Sequence, residues 1–271
     1  MSQITLSLYN QNNEIVKTNT DEYDTYLGFK RAYAWGDYFQ VDVDHAPCYI
    51  VAQLDPGLSP ALIYLTEPTW KYRIFFDLQR EWPYSKGVFS NRFSYAKVRF
   101  ANPEEIKMHQ NLAVNSHDQH HDSAAFPHAW ANAETENLSV FWAKNAIDGY
   151  LENHGHGNFP FQSWGIAGRD DAELIIKFGR HVKLDGVGIV LRADYPHDTY
   201  WKEATLKFSN GQEEKVHLEN TDQRQKFSFK PVVTESLTFT NLIKDSESDA
   251  FPALTEIEAY GFNITTNENN K

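Results

Sequence analysis

The chain has 271 residues, 41% of them hydrophobic and 14% aromatic, enough for one large domain or two ordinary ones with separate cores. Charged residues make up 23%, an ordinary globular share that argues against wholesale disorder. A formal net charge of −12 repels phosphate-rich partners and anionic lipid surfaces, so neither nucleic acid nor a membrane is expected as a partner.

The first residues, MSQITLSLYNQNNE, carry no cationic start, no long apolar core and no cleavage site. A cytoplasmic protein is the simpler expectation, with an extracellular one left open. No stretch approaches the roughly 20 apolar residues of a membrane helix. The single cysteine, Cys48, allows no intrachain disulfide. It lies in the apolar run APCYIVAQL and reads as a buried, inert thiol.

The first hundred residues read as strands: ITLSLY (4–9), YFQVDVD (38–44), CYIVAQLD (48–55), ALIYLTE (61–67), KYRIFF (71–76) and YAKVRFA (95–101). They are short, rich in β-branched and aromatic residues, and separated by turn-prone stretches such as DPGLSP. In YFQVDVD, Phe39, Val41 and Val43 alternate with Gln40, Asp42 and Asp44. That is the pattern of a half-buried antiparallel strand. Residues 77–92 read as a long loop. EEIKMHQNLA (104–113) is the best helix candidate, and the polar, His-rich stretch VNSHDQHHDSAAFPHAWAN follows it. This change of composition places a domain boundary near residue 112. The expected division is an N-terminal β-sandwich over residues 1–112, a second β-sandwich over 113–264 and a polar, disordered tail over 265–271.

In the second half, strands are expected at 172–179, 183–193, 204–211, 213–219, 226–231, 236–243 and 254–261. Their spacing signals another sandwich. LKFSNGQEEKVHLE places Asn210-Gly211 between two alternating runs, as in a tight hairpin. No β-α-β alternation, P-loop or GxGxxG fingerprint is present.

ANAETEN, FWAKNAIDG, SWG, DDAELIIKFGRHVKLDGVGIVLR, ATLKFSNGQEEKVHL and ALTEIEAYG occur in the order of a discoidin-type domain. Residues 113–262 thus resemble the coagulation-factor C-type, galactose-binding-like β-sandwich of many carbohydrate-binding modules. The tryptophan that often follows the family's S-x-D-G hairpin is missing from SNGQEEK. The paired arrangement resembles uncharacterised bacterial carbohydrate-binding proteins. The resemblance implies an all-β chain whose C-terminal domain is a discoidin-like jelly roll. It also implies a structural Ca²⁺ held by a carbonyl of Ala143 or Asn145, by Asp148 and by Glu256. Oxygen ligands of this kind suit calcium. Without a metal, Asp148 reads as a turn residue that accepts nearby backbone N–H groups.

The family places its sugar site on loops at one end of the sandwich. Here ENHGHGNFPFQSWG contributes His154, His156, Phe161 and Trp164; LRADYPHDTYW contributes Arg192, Asp194, Tyr195, His197 and Trp201; DAFPAL contributes Phe251. A sugar needs an aromatic platform for its C–H face and charged groups for its hydroxyls, and these segments supply both. Against this stands packing of Trp164 and Trp201 in the core, with Arg192 and Asp194 as a surface ion pair.

Other constellations carry chemistry less specifically. HDQHHD (117–122) could chelate a transition metal or be a solvated loop, and no HExxH motif accompanies it. Asp170-Asp171 and Asp194 with Asp198 are available as carboxylate pairs for glycoside hydrolysis. YAWGDY (33–38) and EWPYSKG (81–87) read as packing between the domains or as a second pocket. The sequence thus points to a two-domain β protein that binds a carbohydrate and has no chemistry of its own, leaning away from an enzyme. The alternative is a sugar-acting hydrolase or lyase with a His-rich, metal-dependent site at the domain junction. A scaffold role through a homo-oligomer is the third reading.

Overall fold

Alternation builds the first sandwich. The computed structural model describes residues 2–195, 199–245 and 251–264. Strands β1 (Ile4–Tyr9), β2 (Ile15–Asp21), β3 (Asp24–Phe29), β4 (Tyr38–Val43), β5 (Cys48–Gln53), β6 (Ala61–Leu65), β7 (Thr69–Arg73) and β8 (Ser94–Phe100) pair antiparallel. They form two sheets, in the orders β2-β1-β4-β7 and, from β6 outward, β6-β5-β8-β3. Phe39, Val41 and Val43 on β4 face Ile50, Ile63 and Val98 of the other sheet within one core. Cys48 is buried there, and burial pushes its thiol up to about 11.

Strands β2 and β3 lie outside the sequence expectation. Every residue of β2 is exposed, so IVKTNTD carries no buried face to produce an alternation. The expected helix over 104–113 shrinks to α2 (Pro103–Lys107), after a one-turn α1 (Leu78–Glu81) inside the expected loop. Asn102 starts α2, its N–H donating to the Glu105 carboxylate, and Pro103 fits the first helical position. The helix stops because Gln110 and Asn111 form β9 (Gln110–Asn111), which pairs with the C-terminal sheet.

That sheet contains β11 (His128–Ala131), β12 (Trp164–Gly165), β13 (Leu174–Leu191), β14 (Trp201–Phe208), β15 (Glu213–His217), β16 (Gln225–Lys244) and β17 (Ala253–Asn263), in the order β12-β17-β13-β16-β14-β15 with β11 on β13 and β9 on β17. The strands expected at 172–179 and 183–193 are the single long β13, and those at 226–231 and 236–243 are the single long β16. The β13–β16 register breaks between Lys177 and Val182 and again between Leu184 and Gly186. At the first break Gly179 takes φ +67°, and a Cβ there would lie 2.4 Å from the Phe126 ring. One strand therefore bends and pairs differently on each side, enclosing a second core around Trp164, Phe178, Trp201 and Phe239. The Asn210-Gly211 hairpin joins β14 to β15 as its composition predicts, with Gly211 at φ +86°.

The chain on either side of residue 112 crosses between the sandwiches. β9 pairs with β17, whereas β10 (Ala125–Phe126) pairs with β6 of the first sandwich. No helix among the described residues is long and apolar enough to cross a membrane.

Candidate functional site

The loops at the end of β13 are held by one buried amide. The Asn153 side chain donates to the carbonyls of Leu191 (2.8 Å) and Asp222 (2.9 Å), while the Asn153 carbonyl accepts from the Ala193 N–H (2.9 Å). The Arg192 N–H donates to the Ala253 carbonyl at the start of β17 (3.0 Å). Four chain segments thus converge on one rim. The two glycines around His156 have separate reasons. A Cβ at Gly155 would lie 2.8 Å from the Phe161 ring, and Gly157 turns the chain at φ +96°.

On this rim the sequence candidates His156, Arg192, Asp194 and Phe251 meet. The Arg192 Nε lies 2.9 Å from the Asp194 Oδ1, with both side chains 7% exposed. The other Asp194 oxygen bonds the His156 Nδ1, and the Arg192 Nη2 donates to the Phe251 carbonyl. Burial pulls the Arg192 guanidinium below its ordinary value, and Asp194 opposes that. A desolvated pair of this kind adds little net stability, because dehydrating both charges offsets their attraction. It does orient its members. With Nδ1 on Asp194, the Nε2 of His156 sits on the far side of a ring whose side chain is 46% exposed. Phe251 is 54% exposed and lies against Gly168, and Tyr195, next to Asp194, is 89% exposed. The rim combines a guanidinium, an imidazole, a carboxylate and aromatic faces.

Other candidates sit elsewhere. His154 turns to Asp222 (3.0 Å) and Glu152 (3.1 Å), and those two carboxylates raise its pKa. Trp164 and Trp201 are fully buried with ring centroids 6.3 Å apart, and the Trp164 Nε1 donates to the Ala133 carbonyl. They are core and reach no ligand on the rim. His197 and Asp198 lie outside the described residues. Asp171 pairs with Arg169 and Asp170 approaches Lys244, both on the surface. Sequence reasoning passed over Asn153 and Asp222. Asn153 directly precedes HGHG, and an asparagine beginning a glycine-flanked loop was the available signal.

The turn that carries Asp148 holds a second charged group. The Asp148 carboxylate accepts from the Tyr150 N–H (3.0 Å) and from Gln162 (2.8 Å), the turn role weighed for it above. One Glu256 oxygen accepts from the Gly149 N–H (3.3 Å), and the other is buried without a hydrogen-bond partner among the described residues. Burial pushes Asp148 up to about 7 and Glu256 well above its ordinary value, with the negative charge of Asp148 adding to the latter. The Asn145 side chain is committed to the carbonyls of Ser139 and Ser163. The buried Lys144 ammonium lies 4.5 Å from the centre of the Tyr84 ring of the first sandwich and is lowered by burial. No three His, Cys, Asp or Glu among the described residues are grouped to hold a metal. A cation here would draw on Asp148, Glu256 and backbone carbonyls, and the orphaned Glu256 oxygen fits one.

The HDQHHD run is neither a chelate nor a solvated loop in its first half. His117 is buried and accepts the Leu54 N–H (3.0 Å) of the first sandwich. Asp118 bonds His128 (2.8 Å) and the Ala129 N–H (2.8 Å) of the second. Gln119 bonds both backbone groups of Arg73, and His120 reaches Glu134 (2.7 Å) while stacking on Trp142. The run stitches the sandwiches together. EWPYSKG also packs between them, through the Trp82 carbonyl to the Phe159 N–H (2.7 Å) and through Tyr84, whereas Trp35 of YAWGDY stays 69% exposed.

No protein-family model matches the sequence, and no curated protein does. Solved structures similar to this chain include carbohydrate-binding modules. A chitosan-binding module of a chitosanase/glucanase from Paenibacillus sp. IK-5 is 19% identical over 56% of this chain and 100% of its own, with a TM-score of 0.40. The family 32 module of Clostridium perfringens NanJ, solved with galactose, is 20% identical over 49% and 91%, with a TM-score of 0.38. A fucose-binding module from Streptococcus pneumoniae is 12% identical over 56% and 98%, with a TM-score of 0.41. At these values, what this chain binds has to be read from its own residues.

Proposed function

We propose that the protein binds a carbohydrate at the rim formed by His156, Arg192, Asp194 and Phe251. The observation that carries this is the shared Asp194 carboxylate. It fixes Arg192 and His156 in one orientation beside an exposed aromatic ring, which is the mixture that hydroxyl groups and a sugar C–H face require. A glycan array with the full chain, including galactose, fucose, chito-oligosaccharides and acidic sugars, is expected to give selective binding. His156→Ala and Phe251→Ala should each weaken it about 10-fold or more, as loss of one charge-assisted hydrogen bond or one stacking face does. A folded protein that binds none of these glycans, or variants that bind as well as the parent, overturns the proposal.

We also propose a structural Ca²⁺ at Asp148 and Glu256, supported by the buried, unpartnered Glu256 oxygen. Both acids have folded pKa values raised above their unfolded ones. Without a cation, their contribution is therefore favourable at low pH and is lost as pH rises through about 7 for Asp148. A cation reverses that cost where the acids are ionised. Calcium at a hundredfold excess over Kd should stabilise the protein by roughly 3 kcal/mol at pH 8, less at pH 5.5, and not at all in Glu256→Gln. Melting temperatures that agree in calcium and in EDTA at pH 8 would remove this site.

A further inference from the structure

A cleft of about 340 Å³ opens between the sandwiches, away from the His156 rim. One wall is the outer face of the β5–β6–β8 sheet, with Val51, Leu62 and Arg99; Val114 and Arg180 close it from the second domain. Its volume falls at the lower end of the range for small-molecule sites, about 300–1,000 Å³.

The charges in this cleft do not balance. Arg99 is held by Glu105 in a two-pronged pair (2.6 and 2.8 Å), which keeps the Glu105 carboxyl down at about 2. Among the described residues, Glu105 is the only acid lining the cleft. Among the described residues no carboxylate lies within 4.0 Å of the Arg180 guanidinium, whose hydrogen-bond acceptors are a carbonyl and an amide oxygen. Its guanidinium donates to the Phe178 carbonyl (2.6 Å) and, through Nε and Nη2, to the Asn263 side-chain oxygen (2.9 and 2.7 Å). The faces of Tyr49 and Tyr64, each with its ring centre 5.1 Å away, share its charge. A guanidinium has five N–H donors; these bonds use three and the Tyr49 hydroxyl engages another, which leaves one for a ligand. On a chain of net charge −12, this partly desolvated cation faces apolar walls with no carboxylate in ion-pair reach among the described residues.

We propose that this cleft binds a small organic monocarboxylate of about monosaccharide size. The carboxylate pairs with Arg180, and the body lies on Val51, Leu62 and Val114. Because β5 and β6 belong to one sandwich and β13 to the other, the ligand touches both and holds them together. The site is independent of the His156 rim.

Galacturonate and galactose differ in the acid group alone, so they serve as paired probes, with inorganic phosphate as the bare anion. Calorimetric titration of the full chain carrying His156→Ala and Phe251→Ala together suppresses the contribution of the rim. Galacturonate is expected to bind and to raise the melting temperature, while galactose and phosphate bind at least tenfold more weakly. Arg180→Met should weaken galacturonate at least tenfold. Leu62→Trp fills the cleft, leaves Arg180 in place and should do the same without changing array binding by the rim in an otherwise unaltered chain, so the test survives if Arg180→Met fails to fold. No galacturonate binding, unchanged binding in Leu62→Trp, or phosphate binding as tight as galacturonate each overturns the assignment.

Discussion

His117 is a base kept neutral by its surroundings. Burial pushes its pKa down to about 3, since the ring packs near Trp70 and Tyr72 and its Nε2 is committed to the Leu54 N–H. The folded value lies below the unfolded value of 6.5. This contribution to stability is therefore complete above pH 6.5 and is lost as pH falls toward 3. Denaturant unfolding at pH 7 and pH 4 should show a loss of roughly 2–3 kcal/mol from this residue. His117→Gln, which still offers an acceptor to Leu54, should flatten that slope; an unchanged slope would show that other groups carry it. At this scale the sequence spoke unevenly. The HGH motif announced a loop, and its glycines have identifiable steric roles. The HDQHHD run looked like a chelate or a solvated loop because imidazoles and carboxylates serve metals and buried hydrogen bonds equally well. Only the fold shows that His117 and Asp118 point into different sandwiches. Trp164 and Trp201 were ambiguous for a similar reason, because an indole suits a core as well as a sugar platform.

Among the elements, the alternating strands were the most legible. β1 and β4 follow their apolar alternation, whereas β5 and β6 were legible as short apolar runs whose alternate residues alone are fully buried. β2 was invisible because it buries nothing, and β3 because Gly28 interrupts its apolar run. The long strands β13 and β16 were each read as two. The bend at Gly179 and the register break near Gly186 interrupt hydrophobic alternation without ending hydrogen bonding. A period-based reading detects the interruption, not the continuity. The helix expected over 104–113 outruns α2, because helix-forming residues after a well-capped start do not reveal that β17 pairs with Gln110 and Asn111.

For the whole molecule, the two sandwiches are stitched by backbone pairing as well as by side chains. Separating the chain after residue 112 would take β9 away from β17 and β10 away from β6, and would strip His117 from Leu54. The fragment 113–264 alone should therefore melt well below the same domain in the full chain, by several degrees for each kcal/mol lost. Calorimetry of the fragment against the full chain checks this. One cooperative transition in the full chain and a destabilised fragment are expected, whereas a fragment as stable as the domain in place would show that the stitching contributes nothing.

The crossing of β9 and β10 also has a consequence in time. During synthesis the first sandwich emerges well before β10, which has to arrive before that sandwich gains its edge on β6. Residues 110–111 emerge earlier still, yet their partners lie in β17, with Asn111 accepting from the Ala259 N–H 148 positions later. The short β9 must therefore wait, unpaired, while almost the whole second sandwich is made. Loop closure over such a separation is entropically costly and slow. Completing the second sheet is thus a late event that also locks the first sandwich to the second, so a nascent chain should remain a pair of loosely coupled halves until β17 has formed.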